Sequence, residues 1–179
     1  VVDYADLNLA LGKPTSSSGY ENVGTKPENA TDGLLDTRWS SRFMDGEWLT
    51  IDLQNTYAVN RVKLYWETAY ATHFDIQLST DGVEYTTAYT ATDAEGGTQD
   101  IILPNGPTEA RYVRIFCHQR NTGYGSSLYE VEVYGVRRPT AFENTYSEDS
   151  QLPHLILRNG QIYIMHGAKI YHISGQLLQ

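Results

Sequence analysis

The stretch around which this chain folds is a polar loop closed by a large aromatic residue, Asn29-Ala30-Thr31-Asp32-Gly33-Leu34-Leu35-Asp36-Thr37-Arg38-Trp39. Its Asp-Gly step predicts a turn, because Asp bonds nearby backbone and Gly accepts a positive φ. A loop of this kind can direct several oxygen atoms inward, as a hard cation such as Ca²⁺ requires. The same residues also suit an ordinary polar turn, so the flanking sequence has to decide between the two.

Apolar and polar residues alternate with a period of two on the C-terminal side of this loop, which predicts β-strands. No convincing amphipathic helix interrupts them. Short strands with turn signals about every ten residues indicate an all-β sandwich or barrel. Trp39, Trp48 and Trp66 lie in strand-like patterns and are predicted to be core. The predicted strands are residues 48–53, 59–66, 74–79, 101–103, 111–117 and 129–133.

Composition limits the class of protein and its partners. The chain has 179 residues, which suits one domain plus a smaller appendage. Its net charge of −9 argues against nucleic acid or an anionic membrane as a partner. A single cysteine, Cys117, excludes an internal disulfide and fits a cytosolic protein or, equally, a secreted bacterial one.

The domain organisation is expected to change near Gly135. We predict one domain at residues 1–135, a polar linker at 136–151 and a small β tail at 152–179. In the tail, Asn159-Gly160 joins two strand-like runs, and Asn-Gly is a strong hairpin signal. With a further run at 169–173, the tail predicts a hairpin or meander that cannot bury a core alone. The first residues, Val1-Val2-Asp3-Tyr4, have no signal-peptide pattern and suggest a piece excised from a longer chain.

Five motifs, in order, resemble the coagulation factor 5/8 type C (discoidin-like) domain family. Residues 66–70 and 124–130 are most similar to its bacterial branch, the family 32 carbohydrate-binding modules. The resemblance implies an eight-stranded jelly-roll β-sandwich of the galactose-binding-domain-like type, with a structural Ca²⁺ and a sugar site in loops at one end. The motifs are residues 8–14, 29–39, 48–53, 111–114 and 129–135.

The resemblance implies a calcium site that joins the early loop to the last strand. Ca²⁺ takes six to eight oxygen ligands and tolerates irregular geometry, so a mixture of carboxylate, hydroxyl and carbonyl oxygens is chemically reasonable. The alternative is that the acidic and hydroxyl residues only cap turns or face solvent. Side-chain ligands would be Asp32, Thr37 and Glu130, and carbonyl ligands would be Asn29, Leu34, Thr37 and Tyr129.

The resemblance also places a sugar site on loops that combine aromatic and polar residues. A sugar needs an aromatic surface for its C–H face and fixed polar groups for its hydroxyls. Carboxylates would accept, Arg38 would donate, and an aromatic ring would stack. Ordinary structural roles, as solvated charges or an ion-pair partner, remain open for each. The residues are Glu21, Arg38, Phe43, Glu67 and Tyr124, with Arg120 and Asn121 as second candidates.

One departure from the family bears on the ligand. Galactose-binding members carry a His just after the Trp of the Asp-Gly motif, where this chain has Ser40 and Ser41. That favours gluco-configured or amino sugars, since two carboxylates at the site would bind an amine through charge-assisted hydrogen bonds.

We therefore expect a non-catalytic carbohydrate-binding module that targets an upstream, covalently linked glycoside hydrolase, such as a β-hexosaminidase or a galactosidase, to glycans. No catalytic motif is present, and the five histidines, at 73, 118, 154, 166 and 172, show no metal-ligand spacing. The alternative is a protein-adhesion module of a secreted bacterial protein. Phe43 and Met44 form the only candidate membrane spike, so membrane insertion is not expected.

The tail bears on localisation. Residues 157–164, with Tyr171 and Gly175-Gln176, resemble C-terminal tails of secreted Bacteroidetes proteins, some of which are sorting signals. A small β appendage is the equal alternative. Either way, we expect a secreted, periplasmic or cell-surface bacterial protein.

Overall fold

The computed structural model describes residues 7–136, 154–158, 161–166, 169–172 and 177–178. The chain divides into two compact units, Val1–Arg138 and Pro139–Gln179. Apart from Val136, the predicted linker at 136–151 lies outside the described residues, as do the Asn159-Gly160 turn and Gly175-Gln176 of the tail. In the described part of the chain, no helix is both long and apolar enough to cross a membrane.

The described residues of the first unit form eight antiparallel strands and one short 3-10 helix, Pro27–Thr31. The strands are β1 Thr15–Ser17, β2 Trp39–Ser40, β3 Glu47–Trp66, β4 Ala71–Ser79, β5 Thr86–Ala91, β6 Thr98–Ile102, β7 Thr108–Arg120 and β8 Ser127–Val136. They pair in the order β2-β8-β3-β7-β4-β5, and β1 and β6 pair with β3 as well. The all-β prediction is confirmed.

Strand β3 is longer than predicted, because it joins two runs that the alternation pattern suggests are separate strands. Its register shifts between Asp52 and Tyr57, where Gln54 adopts a positive φ of 65°. Before this corner β3 pairs with β1 and β7. After it, residues 57–59 still lie opposite β7, and the strand goes on to pair with β6 and β8. One strand thus contributes to both layers of the sandwich.

The core lies between the layers and follows the predicted alternation. Leu49, Ile51 and Leu53 of β3 are buried, and Trp39 and Trp66 are buried as predicted. The prediction that Trp48 is core is wrong. Trp48 is out of phase with Leu49 and only partly buried, with the Arg114 guanidinium 4.5 Å from its ring centroid.

The described residues of the second unit form four strands: β9 His154–Arg158, β10 Gln161–His166, β11 Lys169–His172 and β12 Leu177–Leu178. They pair as an antiparallel sheet in the order β12-β11-β10-β9, which confirms the predicted meander. Arg158 pairs with Gln161 across the two-residue connection. The fourth strand, β12, was not predicted.

Candidate functional site

Four loops of the first unit meet at one end of the sandwich: residues 19–26, 41–46, 67–70 and 121–126. Backbone hydrogen bonds join them to one another and to β2 and β8. Gly125 allows the closest approach, because a Cβ there would overlap the Ser41 carbonyl. The bonds run from the N–H of Glu21 to Ser40 O (2.9 Å), of Ser41 to Ser126 O (2.9 Å), of Asn121 to Tyr70 O (3.0 Å) and of Ser127 to Ala69 O (2.7 Å).

An aromatic pair projects from this loop cluster. The rings of Phe43 and Tyr124 lie edge to face, with centroids 5.7 Å apart and an interplanar angle of 89°. Phe43 is 50% exposed and Tyr124 is 66% exposed, so neither belongs to the core. The two rings come from separate loops, 81 residues apart by number (124 − 43). Together they form an exposed aromatic surface on which the apolar face of a ligand can pack.

Arg120 and Asn121 are occupied in holding the Tyr124 loop. Arg120 donates from Nε to Asp45 Oδ1 (2.9 Å) and from Nη1 to the carbonyls of Gly123 and Tyr124 (3.2 Å each). The Arg120 hydrogen bond holds the pKa of the Asp45 carboxyl below its ordinary value. The geometry therefore makes Arg120 a positioning residue, with Asp45 as a partner that the sequence did not reveal.

Asn121 has the same kind of role on the neighbouring loop. Its Nδ2 donates to the Thr68 carbonyl at 2.9 Å, and its Oδ1 accepts from the Tyr70 N–H at 2.9 Å. Both ends of the amide are thus used between the loops at 67–70 and 121–126. The residue ties these loops together and holds the end of β7 in register with the start of β4.

Glu67 supplies a fixed negative charge to the loop cluster. It accepts from the Ala69 N–H and from Thr68 Oγ1, both at 2.8 Å. Burial opposes ionisation, but these hydrogen bonds and the charge of Arg38 hold the pKa of Glu67 below its ordinary value. Arg38 is partly buried, and its Nε has no hydrogen-bond partner among the described residues. Glu21, by contrast, is exposed on its loop.

A buried carboxylate, Glu47, anchors the loop that carries Phe43. The Arg42 Nη2 donates to Glu47 Oε1 at 2.8 Å, and Ser18 Oγ donates to Oε2 at 2.7 Å. Glu47 is 2% exposed, whereas Arg42 is about half exposed. A side chain at Gly19 would collide with Arg42, so this ion pair also fixes the neighbouring loop.

The opening loop and β8 meet through a second buried carboxylate. Asp32 accepts from the Leu34 N–H (2.9 Å) and from Thr37 Oγ1 (2.8 Å). The Gly33 N–H donates to Glu130 Oε2 at 3.1 Å, while Glu130 Oε1 has no hydrogen-bond partner among the described residues. Burial and the nearby Asp32 charge raise the pKa of Glu130 to about 7.

These residues fit the calcium ligand set implied by the resemblance. A buried carboxylate oxygen without a partner, beside a second carboxylate, is an arrangement that a hard cation would satisfy. Asn29 lies in the 3-10 helix that precedes the loop, and its amide donates to the carbonyls of Gly24 (2.9 Å) and Arg38 (3.1 Å). Tyr129 precedes Glu130 in β8.

Comparison with known proteins gives a consistent set of relatives. Residues 13–131 match the F5/8 type C domain family. The structure of chitosan-binding module 2 of a chitosanase/glucanase from Paenibacillus sp. IK-5, in complex with chitotriose, is 42% identical with a TM-score of 0.69. The match covers 72% of this chain and 100% of that module. Chitosan-binding module 1 of the same enzyme is 44% identical, with coverage of 72% and 98% and a TM-score of 0.69.

A longer relative is the polysaccharide lyase 8 family protein HylA of Enterococcus faecalis, which is 30% identical over 147 residues. The match covers 73% of this chain but only 11% of HylA, so this chain corresponds to a small part of the much longer HylA.

Proposed function

The chain belongs to the F5/8 type C domain family, and from this membership we propose that it is a non-catalytic carbohydrate-binding module for glucosamine-containing glycans. The observation that carries the proposal is the exposed Phe43–Tyr124 pair, in the same loop cluster as Glu67, whose pKa is held below its ordinary value. Aromatic faces cover the C–H face of a sugar ring, and loops on a rigid β scaffold are a usual place for such a site.

An amino sugar suits the charges of this surface. Glu67 is an acceptor when ionised, and Glu21 adds a second carboxylate on an adjoining loop. A glucosamine amine would form charge-assisted hydrogen bonds with these groups, and these are stronger than bonds to a neutral hydroxyl. Arg38 adds a positive charge whose field acts on Glu67, although its Nε is buried. The chitotriose complex of the 42% identical module supports the same class of ligand.

We also propose that Ca²⁺ binds between the loop at 29–39 and β8. The unpartnered Glu130 Oε1, with Asp32 and Thr37 nearby, supports this assignment. The ion would neutralise the buried carboxylate and fasten the loop to the last strand, so its role would be structural. Asn29, Leu34, Thr37 and Tyr129 could add carbonyl oxygens.

The setting that we propose is a secreted or cell-surface bacterial protein in which this module is linked to a glycan-degrading enzyme. Support comes from the relatives, since the Paenibacillus modules derive from a chitosanase/glucanase and HylA is a polysaccharide lyase family protein. The module would concentrate that enzyme on its glycan.

Calorimetric titration with chitotriose and with its fully N-acetylated form tests the ligand. We expect weak but measurable binding of chitotriose, because few polar contacts at an open site are fully buried. Acetylation should weaken binding, since it removes the amine charge. Equal affinity for both trimers would refute the amino-sugar assignment and leave glycan binding intact.

Variants then locate the site. Tyr124→Ala and Glu67→Gln should each weaken chitotriose binding by about tenfold, or about 1.4 kcal/mol. Val83→Ala and Glu84→Gln are matched controls. Both residues are exposed in the turn after the C-terminal end of β4, whereas the loop cluster lies at the N-terminal end of that strand. If no sugar binds at millimolar concentration while Phe43→Ala and Tyr124→Ala abolish a protein contact, the module is an adhesion domain instead.

A further inference from the structure

We propose that His73, Asp75 and His118 form a second metal site, selective for a divalent transition metal of the zinc class. The three side chains offer two imidazole nitrogens and one carboxylate oxygen, all within 4.8 Å of one another. They lie on β4 and β7, whereas the proposed calcium ligands lie in the loop at 29–39 and on β8.

Strand pairing creates this cluster. His73 and Asp75 are two residues apart on β4, so they project from the same face of the sheet. Opposite them, His73 pairs with Gln119 and Phe74 pairs with Cys117, which leaves His118 as the extra residue of a β-bulge. A bulge redirects the side chain of its extra residue, and here the ring centroids of His73 and His118 lie 4.4 Å apart.

The carboxylate is held in place before any metal binds. Asp75 is buried, accepts from Thr90 Oγ1 at 2.6 Å, and has Oδ2 2.9 Å from His118 Nε2. The Phe116 ring lies 4.7 Å from that of His118 and limits its movement. The Thr90 hydrogen bond is of the kind that orients a metal ligand and raises its affinity, whereas a bound metal would replace the contact between Asp75 and His118.

The donor types select the metal. Two imidazoles and one carboxylate suit Zn²⁺ and similar ions, whereas Ca²⁺ requires oxygen ligands. Tetrahedral ligands about 2.1 Å from zinc lie about 3.4 Å from one another. The ligand atoms of the three residues lie within 4.8 Å of one another, so they must move closer together by about 1 Å. Rotation of the His73 or His118 side chain can supply this movement, because both residues are partly exposed. Water would take the fourth position.

Spacing along the chain does not reveal this site, because 45 residues separate the two histidines by number (118 − 73). The expectation that the five histidines lack a metal-ligand arrangement was based on local spacing. The bulge in β7 brings His73 and His118 together only in the folded sheet.

The test is a calorimetric titration of the whole chain with ZnCl₂, in buffer with excess CaCl₂ so that an oxygen-ligand site is already filled. We expect one zinc per chain at this site. His73→Ala should weaken that binding by more than about tenfold, because even the hydrogen-bond partners of metal ligands are worth about 10- to 100-fold. His172→Ala, on β11, removes a histidine from the other unit and should leave this binding event unchanged.

A second readout is the melting temperature with and without zinc. Zinc should raise it in the wild type and in His172→Ala, but not in His73→Ala or His118→Ala. His73→Ala leaves the hydrogen bonds of Asp75 with His118 and Thr90 intact, so this variant is expected to fold. It therefore provides the test even if His118→Ala does not fold. The proposal is overturned if His73→Ala binds zinc as tightly as the wild type or if the wild type binds none. Chitotriose binding is measured separately and does not depend on either result.

Discussion

Replacing Glu130 by Gln should remove the proposed stabilisation by calcium, so that the order of stability of variant and wild type reverses between a chelator and calcium. Glu130 is 3% exposed, and one of its carboxylate oxygens has no hydrogen-bond partner among the described residues. Gln keeps the shape and can still accept from the Gly33 N–H, but it carries no charge. The variant should therefore be more stable than the wild type in a chelator and less stable in calcium.

The structure sets the size of the effect. Burial, with the Asp32 charge, raises the pKa of Glu130 from 4.5 to about 7. At about 1.4 kcal/mol per pH unit, the ionised carboxylate costs the calcium-free fold about 3 kcal/mol. Because the folded pKa is the higher one, this cost is absent below pH 4.5, grows as the pH rises and is complete above pH 7. Calcium at about a thousandfold above its Kd would return about 4.1 kcal/mol to the wild type, which exceeds this cost.

Thermal unfolding at pH 8, with either EDTA or CaCl₂, measures both effects. In EDTA we expect Glu130→Gln to melt up to roughly 10 °C above the wild type. In CaCl₂ only the wild type should gain stability. Asp36→Asn is the control, since it removes an exposed charge from the same loop. If calcium stabilises Glu130→Gln as much as the wild type, Glu130 is not a ligand. If the variant melts lower in EDTA, the cost assigned to the buried carboxylate is wrong.

Three further substitutions test the supports of the loop cluster and the sheet. Arg120→Met should weaken chitotriose binding in calorimetry although Arg120 is not expected to contact sugar, because it releases the Tyr124 loop; unchanged affinity would contradict the positioning role. Arg42→Ala leaves Glu47 buried without its cation and should lower the free energy of unfolding in urea by about 3 kcal/mol; an unchanged midpoint would show that the pair is not stabilising. The Arg111 hydrogen bond holds the pKa of Asp52 in the folded protein below its ordinary value. The ion pair therefore stabilises the fold at pH values above the pKa of Asp52 in the unfolded chain, and this stabilisation is lost as the pH falls through the pKa of Asp52 in the folded protein. Asp52→Asn should therefore cost up to about 1 kcal/mol in urea unfolding at pH 7 and progressively less as the pH falls below the unfolded pKa; the value is small because Arg111 is partly exposed.

Sequence patterns predicted the strands because burial on one face of a sheet imposes a period of two. Leu49, Ile51 and Leu53 show this directly. The corner at Gln54 could not be predicted, since a non-glycine residue at positive φ has no compositional signal. One strand of 20 residues was therefore predicted as two. Trp48 was predicted to be core because it lies in a strand-like pattern, although the alternation in its own strand assigns it to the opposite face.

At the loop cluster, exposed aromatics were easier to predict than polar roles. Phe43 and Tyr124 stand in polar loops, where a large ring has no core to enter. The role of Arg120 depends on Asp45, 75 residues earlier, and that of Asn121 depends on Thr68, 53 residues earlier. Such partners are set by strand pairing, so local sequence could offer Arg120 and Asn121 only as general polar candidates.

The continuity of β3 has a consequence for how the chain is made. Residues 47–52 pair with 112–117, and the second half of the strand pairs with β8, which ends at Val136. Pairings so distant in sequence make folding slow, because each closes a large loop before it gains any contact. During translation, β3 leaves the ribosome long before β6, β7 and β8 exist, and its apolar face stays open to chaperones and to other nascent chains. A ribosome that stalled before Val136 would carry a chain unable to close its second layer.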